Sequence, residues 1–181
     1  MHEWKGIEAA AKACGLPYLL VGGHAVNARG FSRVTKDIDI AICRKDWFGW
    51  KHALEQAGWS CQARNINFGV FSMVSEPTVK MDLMLLEKET FGKLSSKADE
   101  IDYDGFHARV PDSLDLAAMK IHALEQHRLQ TGMAQGRKND VPDIRYLLGS
   151  VGISMDSPKF QAIINRYGSP EVAKLLREGF E

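Results

Sequence analysis

The sequence predicts an α+β fold: a small twisted mixed β-sheet with flanking helices and a helical C-terminal third. Three observations carry that prediction. Runs with a period of two, at 37–43 and 78–86, read as strands, because successive side chains in a strand point to opposite faces. Between the strand-like runs lie short stretches whose apolar residues recur at three and four, the helical period. After Pro111 only the helical period remains.

Taken in order, residues 3–14 have helical spacing, with Trp4, Ile7, Ala10, Ala11 and Cys14 on one side, and Gly15-Leu16-Pro17 closes the run. Residues 18–21 make a short apolar strand broken by Gly22-Gly23, and 24–29 read as a short helix closed by Gly30. Residues 37–43 alternate acid with isoleucine as a strand, and 46–57 form an amphipathic helix bounded by Gly58. Strands follow at 59–64, 68–75 and 78–86. Asp104-Gly105, at the centre of 102–110, signals a small hairpin. Pro111-Asp112 opens a helix that runs to Leu129, with Leu114, Ala117, Ala118, Ile121 and Leu124 as its buried stripe. The acid-free stretch 126–138, with two glycines, reads as a mobile connection. Short helices at 141–148, 158–166 and 170–180 complete the chain, the last two started by Ser-Pro.

At 181 residues, with 45% apolar and 25% charged side chains, the chain can build a core without staples. A disordered tail, a collagen-like repeat and a disulfide-dense mini-protein are excluded. The 23 Lys and Arg balance 23 Asp and Glu, so no bulk field draws a polyanion and nucleic acid must meet a local patch. Cys14, Cys43 and Cys61 form no CxxC pair, and an odd count suits a reducing compartment. Neither an apolar leader nor a stretch long enough to span a bilayer is visible, and a cytoplasmic protein is expected.

Asp37-Ile38-Asp39-Ile40-Ala41-Ile42 is the most informative segment. In a strand Asp37 and Asp39 share a face, about 6.6 Å apart, while the isoleucines turn to the core. Carboxylates side by side repel unless a cation sits between them. Mg²⁺ takes oxygen ligands and keeps waters and substrate phosphates in its shell. An edge strand with a solvated acidic face explains the same spacing equally well. Asp82 adds a lone carboxylate to the otherwise apolar Met81-Asp82-Leu83-Met84-Leu85, and buried acids are rare unless paired or metal-bound. Beside residues 37–43 it would complete a cluster of three. That suffices for two divalent ions about 3.5–4 Å apart and in-line displacement at phosphorus. Gly22-Gly23 would present backbone N–H groups to a phosphate, although most such pairs are ordinary turns.

Val21-Gly22-Gly23, a spacer of thirteen residues, Asp37-Ile38-Asp39 and the later Asp82 resemble the signature of the polymerase-beta-type nucleotidyltransferase superfamily. Downstream, Leu116-Ala117-Ala118-Met119-Lys120-Ile121-His122-Ala123-Leu124 and Arg137-Lys138-Asn139-Asp140-Val141-Pro142-Asp143-Ile144 are similar to motifs of the AbiEii-type nucleotidyltransferase toxins. Those motifs are K-x-x-A and R-x-K-D-x-x-D; here Asn139 separates Lys138 from Asp140. The first motif also resembles small aminoglycoside and lincosamide nucleotidyltransferases. The resemblance covers about 17–148 and implies the nucleotidyltransferase fold, with residues 1–110 as catalytic core and 111–181 as a helical part completing the active-site cleft.

It further implies a Mg²⁺-dependent enzyme, with two ions, that moves an NMP from an NTP such as ATP to an acceptor hydroxyl. RNA, as a tRNA end, is the first acceptor and a small antibiotic the second, with a cognate antitoxin as a partner. A catalytically inactive nucleotide- or partner-binding member is the third reading. Asp37 and Asp39 would hold Mg²⁺ and the triphosphate, and Asp82 the second metal while helping to deprotonate the acceptor. Gly22 and Gly23 would cradle the β- and γ-phosphates, Lys120 would neutralise phosphate charge, and Asp140 or Asp143 would orient Lys120 or the acceptor.

Each of these residues has a plainer alternative. Lys120 lies about 40° outside the apolar arc of its helix, where a lysine usually snorkels to water. Arg29, Arg33 and Lys36 precede the acidic pair and suit phosphate, RNA or surface ion pairs. His24 reads as a packing residue at a helix start and His122 as solvent-exposed. Asp140 and Asp143 fit helix capping. Trp47, Trp50 and Leu54 suit the core better than a partner groove.

Overall fold

The alternation in the two aspartate-bearing runs is realised as neighbouring parallel strands. In the computed structural model, which describes residues 2–132 and 139–179, β1 (Leu19–Val21), β2 (Ile38–Cys43), β3 (Trp59–Arg64), β4 (Phe68–Met73) and β5 (Lys80–Leu86) form one sheet. Its order is β1-β2-β5-β4-β3, with β2 parallel to β5 and every other pair antiparallel. Ile38, Ile40 and Ile42 of β2 pair in register with Met81, Leu83 and Leu85 of β5, and all six are buried. Full burial of each side chain contributes about 1.5–3 kcal/mol, which fixes the register, since a slip of one residue would expose the whole set.

Four helices accompany the sheet: α1 (His2–Cys14), α2 (Gly22–Ala28), α3 (Trp47–Gln56) and α4 (Lys88–Ser96). Trp47, Trp50 and Leu54 of α3 are buried, with Trp47 5.8 Å from the Phe71 ring. Beyond α4, β6 (Asp99–Tyr103) and β7 (Phe106–Val110) form a separate hairpin whose turn, Asp104-Gly105, has positive φ at both residues. The expected hairpin starts three residues early because its acids are matched across the strands, Glu100 opposite Arg109 and Asp102 opposite His107. Held 2.7 Å from Asp102 and 3.5 Å from Glu100, His107 has its pKa raised, chiefly by the hydrogen bond to Asp102.

Helices α5 (Ser113–Thr131), α6 (Asp140–Ser150), α7 (Pro158–Tyr167) and α8 (Pro170–Glu178) make up the rest. The Asp112 carboxylate caps α5 by accepting from the Asp115 N–H at 2.7 Å, and Ser157 and Ser169 cap α7 and α8 ahead of proline in the first turn. Two compact units emerge, Met1–Ala28 with Ser32–Pro111, and Arg29–Phe31 with Asp112–Glu181.

Four differences from the sequence reading have physical causes. Helix α2 starts on Gly22 rather than His24, because Gly22 takes the left-handed φ of +64° that lets the chain turn directly from strand to helix. Helix α4 was not expected: its apolar signal is one pair, Phe91 and Leu94, and no side chain caps it. Helix α5 runs to Thr131, so 126–131 are not a mobile connection; no breaker intervenes before Gly132, which closes the helix at φ +75°. Residues 133–138 lie outside the described residues. The buried stripe of α5 is Leu116, Ala117, Lys120, Ile121, Leu124 and Glu125, with Leu114 and Ala118 half-buried, so the helix is rotated to place Lys120 inside.

Among the described residues, no helix is long and apolar enough to cross a membrane.

Candidate active site

The register of the parallel pair sets the centre of the site. Asp39 of β2 and Asp82 of β5 are direct partners, so their side chains leave the same face of the sheet from adjacent strands, about 4.8 Å apart in the backbone. That face carries Asp39 and Asp82, both half-buried, near the starts of the two strands. Beyond them it continues over Ala41 and Cys43, which are buried.

Gly22 is the third fixed point. On the antiparallel side Val21 pairs with Asp39, and the next residue brings its backbone against the Asp39 side chain. A Cβ built on Gly22 would lie 1.9 Å from Asp39 Oδ2 and 2.4 Å from its carboxyl carbon. The left-handed φ and this approach both demand glycine. Gly22→Ala is therefore expected to cost about 1–2 kcal/mol for the backbone alone and to displace the Asp39 carboxylate. A thermal melt and a transfer assay check the two effects; unchanged activity would remove the turn from the site.

Gly23 leaves room for the loop that follows α2. A Cβ there would sit 2.5 Å from Thr35 Oγ1 and 2.8 Å from an Arg33 guanidinium nitrogen. Asn27 holds Arg33 by both backbone groups, its amide donating to the Arg33 carbonyl at 2.8 Å and its oxygen accepting from the Arg33 N–H at 3.2 Å. The Arg33 guanidinium also donates to the Val34 carbonyl at 3.1 Å. Thr35 and Asn27 were not singled out from sequence; a threonine in a loop and an asparagine in a short helix carry no pattern. Arg29 belongs to the helical unit whereas Arg33 and Lys36 belong to the sheet unit.

Burial pushes the Asp82 carboxyl above the usual carboxylate range, the charge of Asp37 adds to the rise, and Lys80 partly opposes it. Asp37 is thus close enough for its charge to act at Asp82, and the structure brings Asp37, Asp39 and Asp82 to one end of the sheet. An acid with a raised folded pKa contributes stability that is present below its unfolded pKa and lost as pH rises through the folded value. Metal-free Asp82→Asn is accordingly expected to melt above the native protein at pH 7.5, the gap closing as pH falls toward about 4. Scanning calorimetry across that range checks it, and a native protein as stable as Asp82→Asn at pH 7.5 would contradict the upward shift of this buried carboxyl.

Among the described residues, no group of three or more His, Cys, Asp or Glu side chains is arranged to hold a metal ion by itself. Mg²⁺ usually takes one or two carboxylates and completes its octahedron with water and substrate phosphate. Asp39 beside Asp82, with the charge of Asp37 bearing on Asp82, suits that mode rather than an all-protein cage.

In the helical unit Lys120, Asp140 and Asp143 form one buried cluster. The Lys120 ammonium lies 2.8 Å from Asp140 Oδ1 and 2.9 Å from Asp143 Oδ2. Asp143 is fully buried, and Lys120 and Asp140 are 9% and 8% exposed. The snorkelling reading of Lys120 is thereby corrected: two acids in the first turn of α6 give a buried ammonium its partners, which outweighs the apolar arc. Both aspartates face Lys120, where the sequence left the choice between them open. His24 packs edge-on to Trp4 at 4.9 Å and its Nδ1 lies 3.2 Å from the Tyr103 hydroxyl. His122 is exposed. Arg137 and Lys138 lie outside the described residues.

No protein-family model matches the chain, and no curated protein matches it at a significant level. Solved structures do. The chain is similar to the antibiotic-resistance factor ANT(2'')-Ia, at 16% identity and a TM-score of 0.65 over 97% of this chain and 88% of that one. It is similar to an antigenic nucleotidyltransferase-like protein from Paracoccidioides brasiliensis, at 13% identity and 0.58 over 97% and 91%. It also resembles the lincomycin-bound lincosamide antibiotic adenylyltransferase LnuA, at 14% identity and 0.52 over 80% and 91%. These likenesses, with the mixed sheet and its register, establish that the chain has the nucleotidyltransferase fold.

Proposed function

We propose that the protein is a Mg²⁺-dependent nucleotidyltransferase that transfers an NMP from an NTP to an acceptor hydroxyl. The carrying observation is Asp39 in register with Asp82, with the Gly22 backbone closed against Asp39, in a nucleotidyltransferase fold. Asp37 and Asp39 hold the cation that the triphosphate brings, and Asp82 takes the second. Bound there, Mg²⁺ neutralises the charge of the triphosphate and of the leaving pyrophosphate. The Gly22-Gly23 turn and Arg33 bind phosphate oxygens, so that the α-phosphorus meets the acceptor in line. The acceptor oxygen bonds to that phosphorus, its proton passes to the Asp82 carboxylate, and the bond to the β-phosphate oxygen breaks, its electron pair leaving with pyrophosphate. Asp140 and Asp143 orient Lys120, directing two of its three N–H donors at themselves; the remaining donor serves a phosphate. In this reading residues 1–110 are the catalytic core and 111–181 a helical part that carries Lys120, Asp140 and Asp143.

For the acceptor we infer an RNA 3′ end. The resemblance of the Lys120 and Asp140–Asp143 motifs to nucleotidyltransferase toxins supports this, as do Arg33 and Lys36 leading into Asp37. A cognate antitoxin and a cytoplasmic location accompany that reading. A small antibiotic is the second reading, supported by the likeness to ANT(2'')-Ia and LnuA. Each radiolabelled NTP with Mg²⁺ is offered with total RNA, then with aminoglycosides and lincosamides. RNA labelling that falls steeply with salt, as counterion release requires, is the expected outcome. Labelled antibiotic with unlabelled RNA would replace the first acceptor by the second.

A further inference from the structure

Arg29–Phe31 lie in sequence between α2 and β2, yet they pack as part of the helical unit. One side chain holds all three residues. The Tyr146 hydroxyl donates to the Arg29 carbonyl at 3.1 Å. The Tyr146 ring stacks on Phe31, with centroids 4.9 Å apart and planes 23° from parallel. Gly30 takes a φ of +104°, and the space its Cβ would fill lies 2.7 Å from the Tyr146 hydroxyl oxygen. A larger residue at 30 would meet strain and the hydroxyl together.

Tyr146 sits on α6 three residues beyond Asp143, so one helix carries both the partner of Lys120 and the anchor of this strap. Directly after the strap, Asn27 grips Arg33 by its N–H and carbonyl. The run 32–37 follows in sequence from the three residues that Tyr146 holds, is gripped at Arg33 by Asn27, and ends in Asp37.

We propose that Tyr146 is a positioning residue for the nucleotide site. By pinning Arg29–Phe31 it fixes the backbone that delivers Arg33 and Asp37, and it touches no reacting atom. The proposal rests on the nucleotidyl-transfer reading of that site, and its test separates the two. Hydrogen exchange is measured on the full-length chain for the native protein, Tyr146→Phe and Phe31→Ala, together with steady-state transfer under varied NTP.

Tyr146→Phe removes only the hydroxyl. It is expected to speed exchange of the 33–37 amides and to raise KM for the NTP by about 2- to 10-fold, the scale of one net hydrogen bond, with kcat nearly unchanged. Phe31→Ala moves both readouts in the same direction, so a poorly folding variant at 146 does not shield the proposal. Exchange at 33–37 equal to the native protein in both variants overturns it. So does exchange that speeds equally throughout the chain, the mark of a merely structural role. A native protein that transfers no nucleotide overturns the reading of the site instead, and exchange still decides the strap.

Discussion

Asp39→Asn is expected to lower NMP transfer by about three orders of magnitude or more while the protein keeps its fold. A cation at a phosphoryl centre supplies several kcal/mol of charge stabilisation, and each 1.36 kcal/mol is tenfold in rate. The asparagine keeps the shape and loses the charge. The core does not register the change, because Ile38 and Ile40 on either side point to the opposite face and stay buried. Steady-state transfer and a thermal melt of the same preparation check both halves. Near-native transfer by a folded Asp39→Asn protein would remove Asp39 from the site.

The second large effect is on stability. Lys120→Met leaves the Asp140 and Asp143 carboxylates without the ammonium that lies within 2.9 Å of both. Breaking a buried pair by removing one partner costs about 3–5 kcal/mol, so the melting temperature should fall by about 10 °C. Adding Asp143→Asn to Lys120→Met should recover part of the loss, because it removes a buried charge that has lost this ammonium and the two sites are coupled. Denaturant titration of the two single variants and the double variant measures that coupling. A Lys120→Met protein as stable as the native one would return the lysine to the helix boundary.

How much was legible in the sequence depends on whether the signal was local. The strands around Asp39 and Asp82 were readable because alternation has a period of two and the isoleucines mark the core face. The pairing of Asp39 with Asp82 was an expectation that only the register of a parallel pair, 43 positions apart, turns into geometry. The burial of Lys120 beside Asp140 and Asp143 was not legible in its own helix, for the opposite reason. Helical-wheel reasoning ranks a lysine outside the apolar arc, and its partners lie on another helix twenty positions away. Helix α4 was missed because a single apolar pair in nine residues is no periodicity. Tyr146 gave no signal, since its contacts with Arg29 and Phe31 span more than a hundred residues. Gly30 gave only half a signal: it read as a helix stop, whereas its φ and its lack of a Cβ serve the strap.

The most direct measurement of the central claim uses two forms of each NTP, one labelled at the α-phosphate and one at the γ-phosphate, with Mg²⁺ and the acceptor pools. Nucleotidyl transfer by the carboxylates on β2 and β5 predicts that α-label enters the acceptor, that γ-label leaves in pyrophosphate, and that Asp39→Asn abolishes both. Gamma-label in the acceptor, or α-label that persists undiminished in Asp39→Asn, would contradict it.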